Sequence, residues 1–185
     1  MKMLIIPLAL LVASLPCNAT EYSQVQSAKS SVTFISKQMG VPIEGHFGKF
    51  NAKISFNPDS IATSNANIEI NMASIDAGND DANNEVKSKD WFDIQTHPTA
   101  KFVSNGIKDL SGGRYEVTGK MTIKGVTRSI IVPLSVKFDN NIATLEGSTT
   151  ILRLQYGVGG GEWADPDTVA DEVQLLFKFT LSATK

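Results

Sequence analysis

Alternation of apolar and polar residues is the feature that most limits what this chain can become. Ile130, Val132, Leu134, Val136 and Phe138 fall on one side of an extended segment, with Ser129, Ile131, Pro133, Ser135 and Lys137 on the other. Tyr115, Val117, Gly119, Met121 and Ile123 alternate with Glu116, Thr118, Lys120, Thr122 and Lys124. Val173, Leu175, Phe177, Phe179 and Leu181 repeat the pattern late in the chain, and Phe50, Ala52, Ile54 and Phe56 repeat it early. Successive side chains of a strand point to opposite faces, so each run predicts a strand with one apolar face. Shorter runs centre on Val32 and Phe34, on Ile68 and Ile70, on Ala100 and Phe102, and on residues 145–152. These runs predict eight strands.

The connections carry turn chemistry. Asn57-Pro58-Asp59, Ser111-Gly112-Gly113, Lys124-Gly125 and Asp139-Asn140-Asn141 are short and rich in turn formers. Short turns between neighbours imply antiparallel pairing, and Lys124-Gly125 predicts a hairpin. Two segments break the rhythm. Residues 79–92 are polar, lack Gly and Pro, and predict a short helix between the third and fourth strands, with Val86, Trp91 and Phe92 inward. Residues 157–171 are rich in Gly and acidic residues and predict a long, mobile loop before the last strand. The expected class is all-β, one domain over residues 20–185, as a sandwich or a closed barrel. Closure removes exposed edges and leaves an interior for side chains or one ligand.

Residues 1–19 read as a secretory signal peptide: Lys2, an apolar stretch over residues 3–15, and small residues ending at Ala19. Secretion into a periplasm is the expected location. The sole cysteine, Cys17, lies in this leader, and Pro16 before it fits a lipoprotein processing site poorly. No later stretch is long and apolar enough for a helical membrane span. A transmembrane barrel would turn its apolar faces outward, but faces such as Glu116, Thr118, Lys120, Thr122 and Lys124 suit water. The net charge of −2 argues against nucleic acid as a partner.

Candidate chemistry is sparse. His46 sits in a strand and His97 before Pro98 in a connection, both at positions expected of ordinary polar residues. No histidine pair has metal-ligand spacing, and residues 76–85 lack the spacing and central glycine of a calcium loop. The glycines of residues 157–161 lack the strand–helix setting of a phosphate-binding loop. No catalytic residue, metal ligand or cofactor is therefore expected.

Several stretches taken in order resemble the YceI-like family. They are Ser31-Val32-Thr33-Phe34, Gly45-His46-Phe47-Gly48-Lys49-Phe50, Ile54-Ser55-Phe56 and Lys89-Asp90-Trp91-Phe92-Asp93. His97-Pro98, Ala100-Lys101-Phe102, the segment from Gly119 through Lys124-Gly125 to Arg128, Ile151-Leu152-Arg153, Tyr156-Gly157-Val158 and Asp171-Glu172-Val173 follow. The family often carries Arg-x-Asp where this chain has Arg153-Leu154-Gln155, and histidines where it has Lys29, Ser30 and Met39. The resemblance implies a lipocalin-like antiparallel barrel with an elongated apolar channel. It also implies a cargo such as a polyprenyl chain, an isoprenoid quinone or a fatty amide, and no catalytic residues.

On that expectation the barrel interior and mouth are lined by Phe34, Phe47, Ile70, Phe102, Met121, Leu134, Trp163 and Phe177. A packed barrel acting through its surface is the competing expectation. It holds if Phe34, Phe102, Met121 and Phe177 meet and fill the centre. Trp163 either packs outside the barrel or closes its open end, its N–H turned to water or a carbonyl and the preceding glycines serving as a hinge. A homodimer is left open by the sequence.

Overall fold

The structure, a computed structural model, describes residues 20–184. The leader over residues 1–19 lies outside the described residues. The strands are β1 (Glu21–Val25), β2 (Ser31–Gln38), β3 (Val41–Phe47), β4 (Phe50–Ser55), β5 (Asn65–Asn71) and β6 (Ile75–Asp76). The helix α1 (Asp80–Glu85) follows, and then β7 (Thr99–Asp109), β8 (Arg114–Ile123), β9 (Val126–Asp139), β10 (Ile142–Leu152) and β11 (Glu172–Thr184). The strand pairings among the described residues are antiparallel and belong to one sheet, in the order β4-β5-β7-β8-β9-β10-β11-β2-β3-β6, with β1 on β11.

β4 begins the order and β3 lies next to its end, yet only Gly48 and Lys49 separate them in the chain. From Phe47 to Phe50 the chain can span about 11 Å at most, so the sheet curls back on itself. Tyr22 exchanges both backbone hydrogen bonds with Phe56 at 2.9 Å, so β1 also ties β11 to the end of β4. The expected barrel is present.

Among the described residues the strand count is corrected from eight to eleven. The eight predicted strands are all there. β1 is five residues of mixed burial, β6 is two residues, and β3 carries Val41, Ile43, Gly45 and Phe47 on one side and Pro42, Glu44 and His46 on the other. β1 and β6 are too short for alternation to stand out, and in β3 Gly45 interrupts the apolar side while Pro42 stands on the other. The Lys124-Gly125 hairpin is observed, with Ile123 opposite Val126 and both turn residues at positive φ. The predicted helix is confined to Asp80–Glu85, and Asn79 caps it by accepting a hydrogen bond from Ala82 N.

The registers sort the connections into two ends. The β2–β3 turn, residues 72–98 with α1, the β8–β9 turn and residues 153–171 lie at one end. The other end is packed. Phe56 meets Tyr115 edge-on at 5.2 Å, Tyr22 meets Phe138 at 5.3 Å, and Ala143 and Leu181 are fully buried. Phe138 shares the inward side of β9 but remains partly exposed at this end.

Candidate functional site

Between the packed end and the covered end lies a cavity of about 610 Å³. That volume falls within the usual range for a small-molecule site. Its walls are the inward faces that alternation predicts, and nearly all of the lining is apolar. Phe34, Phe47, Ile70, Phe102, Met121, Leu134, Trp163 and Phe177 all line it. The four residues expected to decide between a filled and a hollow barrel line the space without filling it.

The reason lies in inward-facing glycines. Phe34 stands opposite Gly45, and a Cβ on Gly45 would lie 2.2 Å from Phe34 Cζ. Phe177 stands opposite Gly147, where a Cβ would lie 2.4 Å from Phe177 Cζ. Phe102 lies against Gly119, where a Cβ would lie 2.5 Å from the ring. Each ring therefore lies against the wall in a recess that only glycine leaves, instead of projecting across the bore. Single-strand patterns miss these glycines as site residues. The usable signal is an inward glycine on one run facing an inward Phe on the next, and it needs the register.

The covered end is built from α1 and residues 153–171. Ala82, Glu85 and Val86 line the cavity from the helix side, followed by Trp91 and Phe92. The loop side is organised by Arg153, only 3% exposed. Its guanidinium donates to five backbone carbonyls: Val158, Gly159, Trp163, Val169 and Ala170, at 2.6–3.1 Å. It also stacks on Trp91, 5.5 Å from the ring centroid. Burial lowers the Arg153 pKa, with Asp171 opposing, but a guanidinium keeps its charge in a protein.

Other groups hold the same loop. Gly159 N and Gly160 N donate to the Asp90 carbonyl, Lys124 Nζ donates to Gly157 O at 2.7 Å, and Arg128 Nε donates to Gln155 O at 2.9 Å. The mobile glycine loop expected from composition is thus corrected: Arg153, missed as a structural centre, fastens it. Its glycines are needed for shape, since Gly157, Gly159 and Gly161 all have positive φ.

Trp163 reaches the cavity from this fastened loop. Its Nε1 donates to Glu85 Oε1 at 3.0 Å, and its ring lies 5.8 Å from Trp91. The expected partner, water or a carbonyl, is corrected to a carboxylate on α1. The hinge expected at the preceding glycines is corrected as well, because Arg153 and Asp90 hold Gly159 and Gly160.

His46 faces Asp76 at 3.9 Å, with both side chains about half exposed. His97 packs beneath the Gly125 turn. Neither histidine lines the cavity. No group of three or more His, Cys, Asp or Glu residues placed to hold a metal occurs among the described residues. The acidic run is a helix entrance: Asp76 accepts from Gly78 N, and Asn83 accepts from Ala77 N.

Comparison with known proteins follows the same lines. The sequence profile of the YceI-like domain matches residues 24–181. A UPF0312 protein of Vibrio cholerae is 30% identical over 125 residues, which cover 65% of this chain and 66% of that protein, just under two thirds. The crystal structure of Burkholderia cenocepacia BcnA superposes with a TM-score of 0.83 at 44% identity, over 85% of this chain and 99% of that one. A polyisoprenoid binding domain from Saccharophagus degradans, implicated in plant cell wall breakdown, shares the fold. Its TM-score is 0.68 at 16% identity, over 89% of this chain and 98% of that one.

Proposed function

This chain belongs to the YceI-like domain family, and from that membership we propose that it carries a long apolar lipid, of the polyprenyl or isoprenoid-quinone kind, inside its barrel. The observation that carries the reading is the hollow interior. A barrel of this size can be filled by side chains, yet here a cavity of about 610 Å³ with apolar walls remains. Each methylene moved from water into such a space contributes roughly 0.8 kcal/mol, before the costs of ordering the chain. A name given to the Saccharophagus degradans domain of the same fold, polyisoprenoid binding, points to the same cargo class.

Phe34, Phe47, Ile70, Phe102, Met121, Leu134 and Phe177 would contact the apolar chain, and Trp163 would contact it at the covered end. The role is binding and not catalysis. Residues 1–19 would direct residues 20–185 to the periplasm, where a lipid of this kind needs a carrier to cross water. The competing reading, a packed barrel acting through its surface, loses its premise with the cavity.

Native mass spectrometry of protein recovered gently from the cells that make it tests the proposal. The expected result is a bound lipid with a prenyl fragmentation pattern. Uniformly ligand-free protein, together with no uptake of prenyl lipids from detergent, would overturn it.

A further inference from the structure

The largest exposed apolar side chains at the covered end sit together on the turn between β2 and β3. Met39 is 78% exposed and Val41 is 60% exposed. This turn is rigidly formed, since Met39 and Gly40 both have positive φ and Met39 N donates to Thr168 O at 2.9 Å. Gln38 also bridges to Val169, so the tip is attached to the loop that Arg153 fastens.

The inward side of β3 begins at this tip. Alternation puts Val41, Ile43, Gly45 and Phe47 on one side of the strand. Ile43 and Phe47 line the cavity, and Gly45 leaves the recess occupied by Phe34. On β2 the corresponding side carries Gln38, Ser36, Phe34 and Val32, which all line the cavity. An apolar track therefore runs from Val41 in solvent, past Ile43, to the interior.

The charges around the tip narrow what it touches. Asp165 and Asp167 lie in the turn whose Thr168 carbonyl holds Met39, while Lys37 is the neighbouring cation on β2. An anionic surface would meet carboxylates here and gain little. A zwitterionic bilayer offers the apolar phase that Met39 and Val41 lack without that repulsion.

We propose that residues 39–41 dip into a zwitterionic lipid surface and set the cavity mouth against it, so that apolar cargo moves along Val41 and Ile43 without crossing water. The inference rests on the cargo reading above for its purpose, but the contact itself is separately measurable. Contact is brief, because one Met and one Val form a small anchor.

The test uses the chain as recovered from its cells. Flotation is measured with phosphatidylcholine vesicles, alone and mixed with phosphatidylglycerol. Transfer of the apolar dye phenylnaphthylamine from loaded protein to the same vesicles is followed over a range of vesicle concentrations. The expected result is flotation with phosphatidylcholine that phosphatidylglycerol does not strengthen, and a transfer rate that rises with vesicle concentration. The double variant Met39→Asp, Val41→Asp should abolish flotation and slow transfer about tenfold or more. Met39→Asp alone, which lies off the cargo track, should slow transfer without changing dye affinity in solution. Asp tolerates the left-handed backbone of position 39, so the turn is kept. Met39→Leu with Val41→Ile should restore flotation.

Absence of flotation, or a transfer rate independent of vesicle concentration, overturns the proposal. Stronger binding to phosphatidylglycerol overturns the zwitterionic assignment. A concentration-dependent dimer that Met39→Asp dissociates would make a second copy the partner and also overturn it. Flotation without any dye binding would instead sink the cargo reading and leave the lipid contact standing.

Discussion

Two segments cover the same end of the barrel by opposite means. Residues 153–171 hold only two short 3-10 turns, Arg153–Tyr156 and Gly161–Ala164, yet Arg153 draws five of their carbonyls to one guanidinium, with Lys124, Arg128 and the Asp90 carbonyl adding further ties. α1 has regular structure but only six residues, below the length at which a helix holds itself, and it enters through Gly78 at positive φ. One hydrogen bond from Trp163 to Glu85 joins the two covers. Regularity and rigidity are therefore separate properties here. The loop cover is fixed by buried charge-assisted hydrogen bonds, and the helical cover is held by fewer of them.

The largest effect is expected from Arg153→Met. It keeps volume but leaves five carbonyls without their donor, and should destabilise the fold by about 3–5 kcal/mol in urea unfolding. A loss below about 1 kcal/mol would show that water replaces the guanidinium and that the loop is not its dependent. Arg153→Lys should recover little, because an ammonium cannot reach the same carbonyls in a plane.

Gly159→Ala comes next. Its Cβ would lie 2.1 Å from Arg153 Nη1, at a φ of 76°. Arg153 cannot retreat without losing its partners, so a cost of about 2 kcal/mol is expected. Thermal melting beside Gly157→Ala sharpens the reading, since Gly157 has similar φ but no atom near its Cβ position. A similar loss in both variants would assign the whole effect to backbone strain.

Asn79→Ala removes the cap of α1 and should cost about 1 kcal/mol. Hydrogen exchange should already be faster at the amides of α1 than at Gly159 and Gly160 in the unaltered protein. The variant should widen that gap. Comparable protection in both covers would break the comparison.

Trp163→Phe and Glu85→Gln test the joint itself. Each should change stability by less than about 1 kcal/mol while speeding release of bound phenylnaphthylamine. An unchanged release rate in Trp163→Phe would remove the joint from any part in access.

The smallest effect concerns Asp76. The Gly78 N–H lowers its pKa, and Asn83 and His46 act in the same direction. A lowered folded value means a contribution that is complete above the ordinary carboxylate pKa and is lost as pH falls through the lowered one. Acid titration should therefore loosen α1 before residues 153–171, and Asp76→Asn should flatten that dependence.

Much of this was legible along the chain. Alternation gave the eight principal strands and the inward positions of Phe34, Phe102, Met121, Leu134 and Phe177, because a strand's two-residue period is local. Asn79 and the polar run after it marked α1. β1 and β6 were hidden because they are too short for alternation to stand out, and β3 because Gly45 interrupts its apolar side. The loop was misjudged because glycine content speaks of conformational freedom, whereas Arg153 spends that freedom on a particular shape.

The sequence by itself determined that this protein is an antiparallel all-β domain with apolar inward faces, since those features follow from nearest-neighbour geometry. Only the tertiary structure decided whether those faces meet or stand apart. Phe34, Phe102 and Phe177 would crowd the bore if their cross-strand neighbours carried a Cβ. Gly45, Gly119 and Gly147 take the rings into the wall and leave the space open. Likewise, Arg153 reads as one basic residue near a strand end until the fold brings five carbonyls around it. Both outcomes depend on register and curvature, which set the distances between residues far apart in the chain.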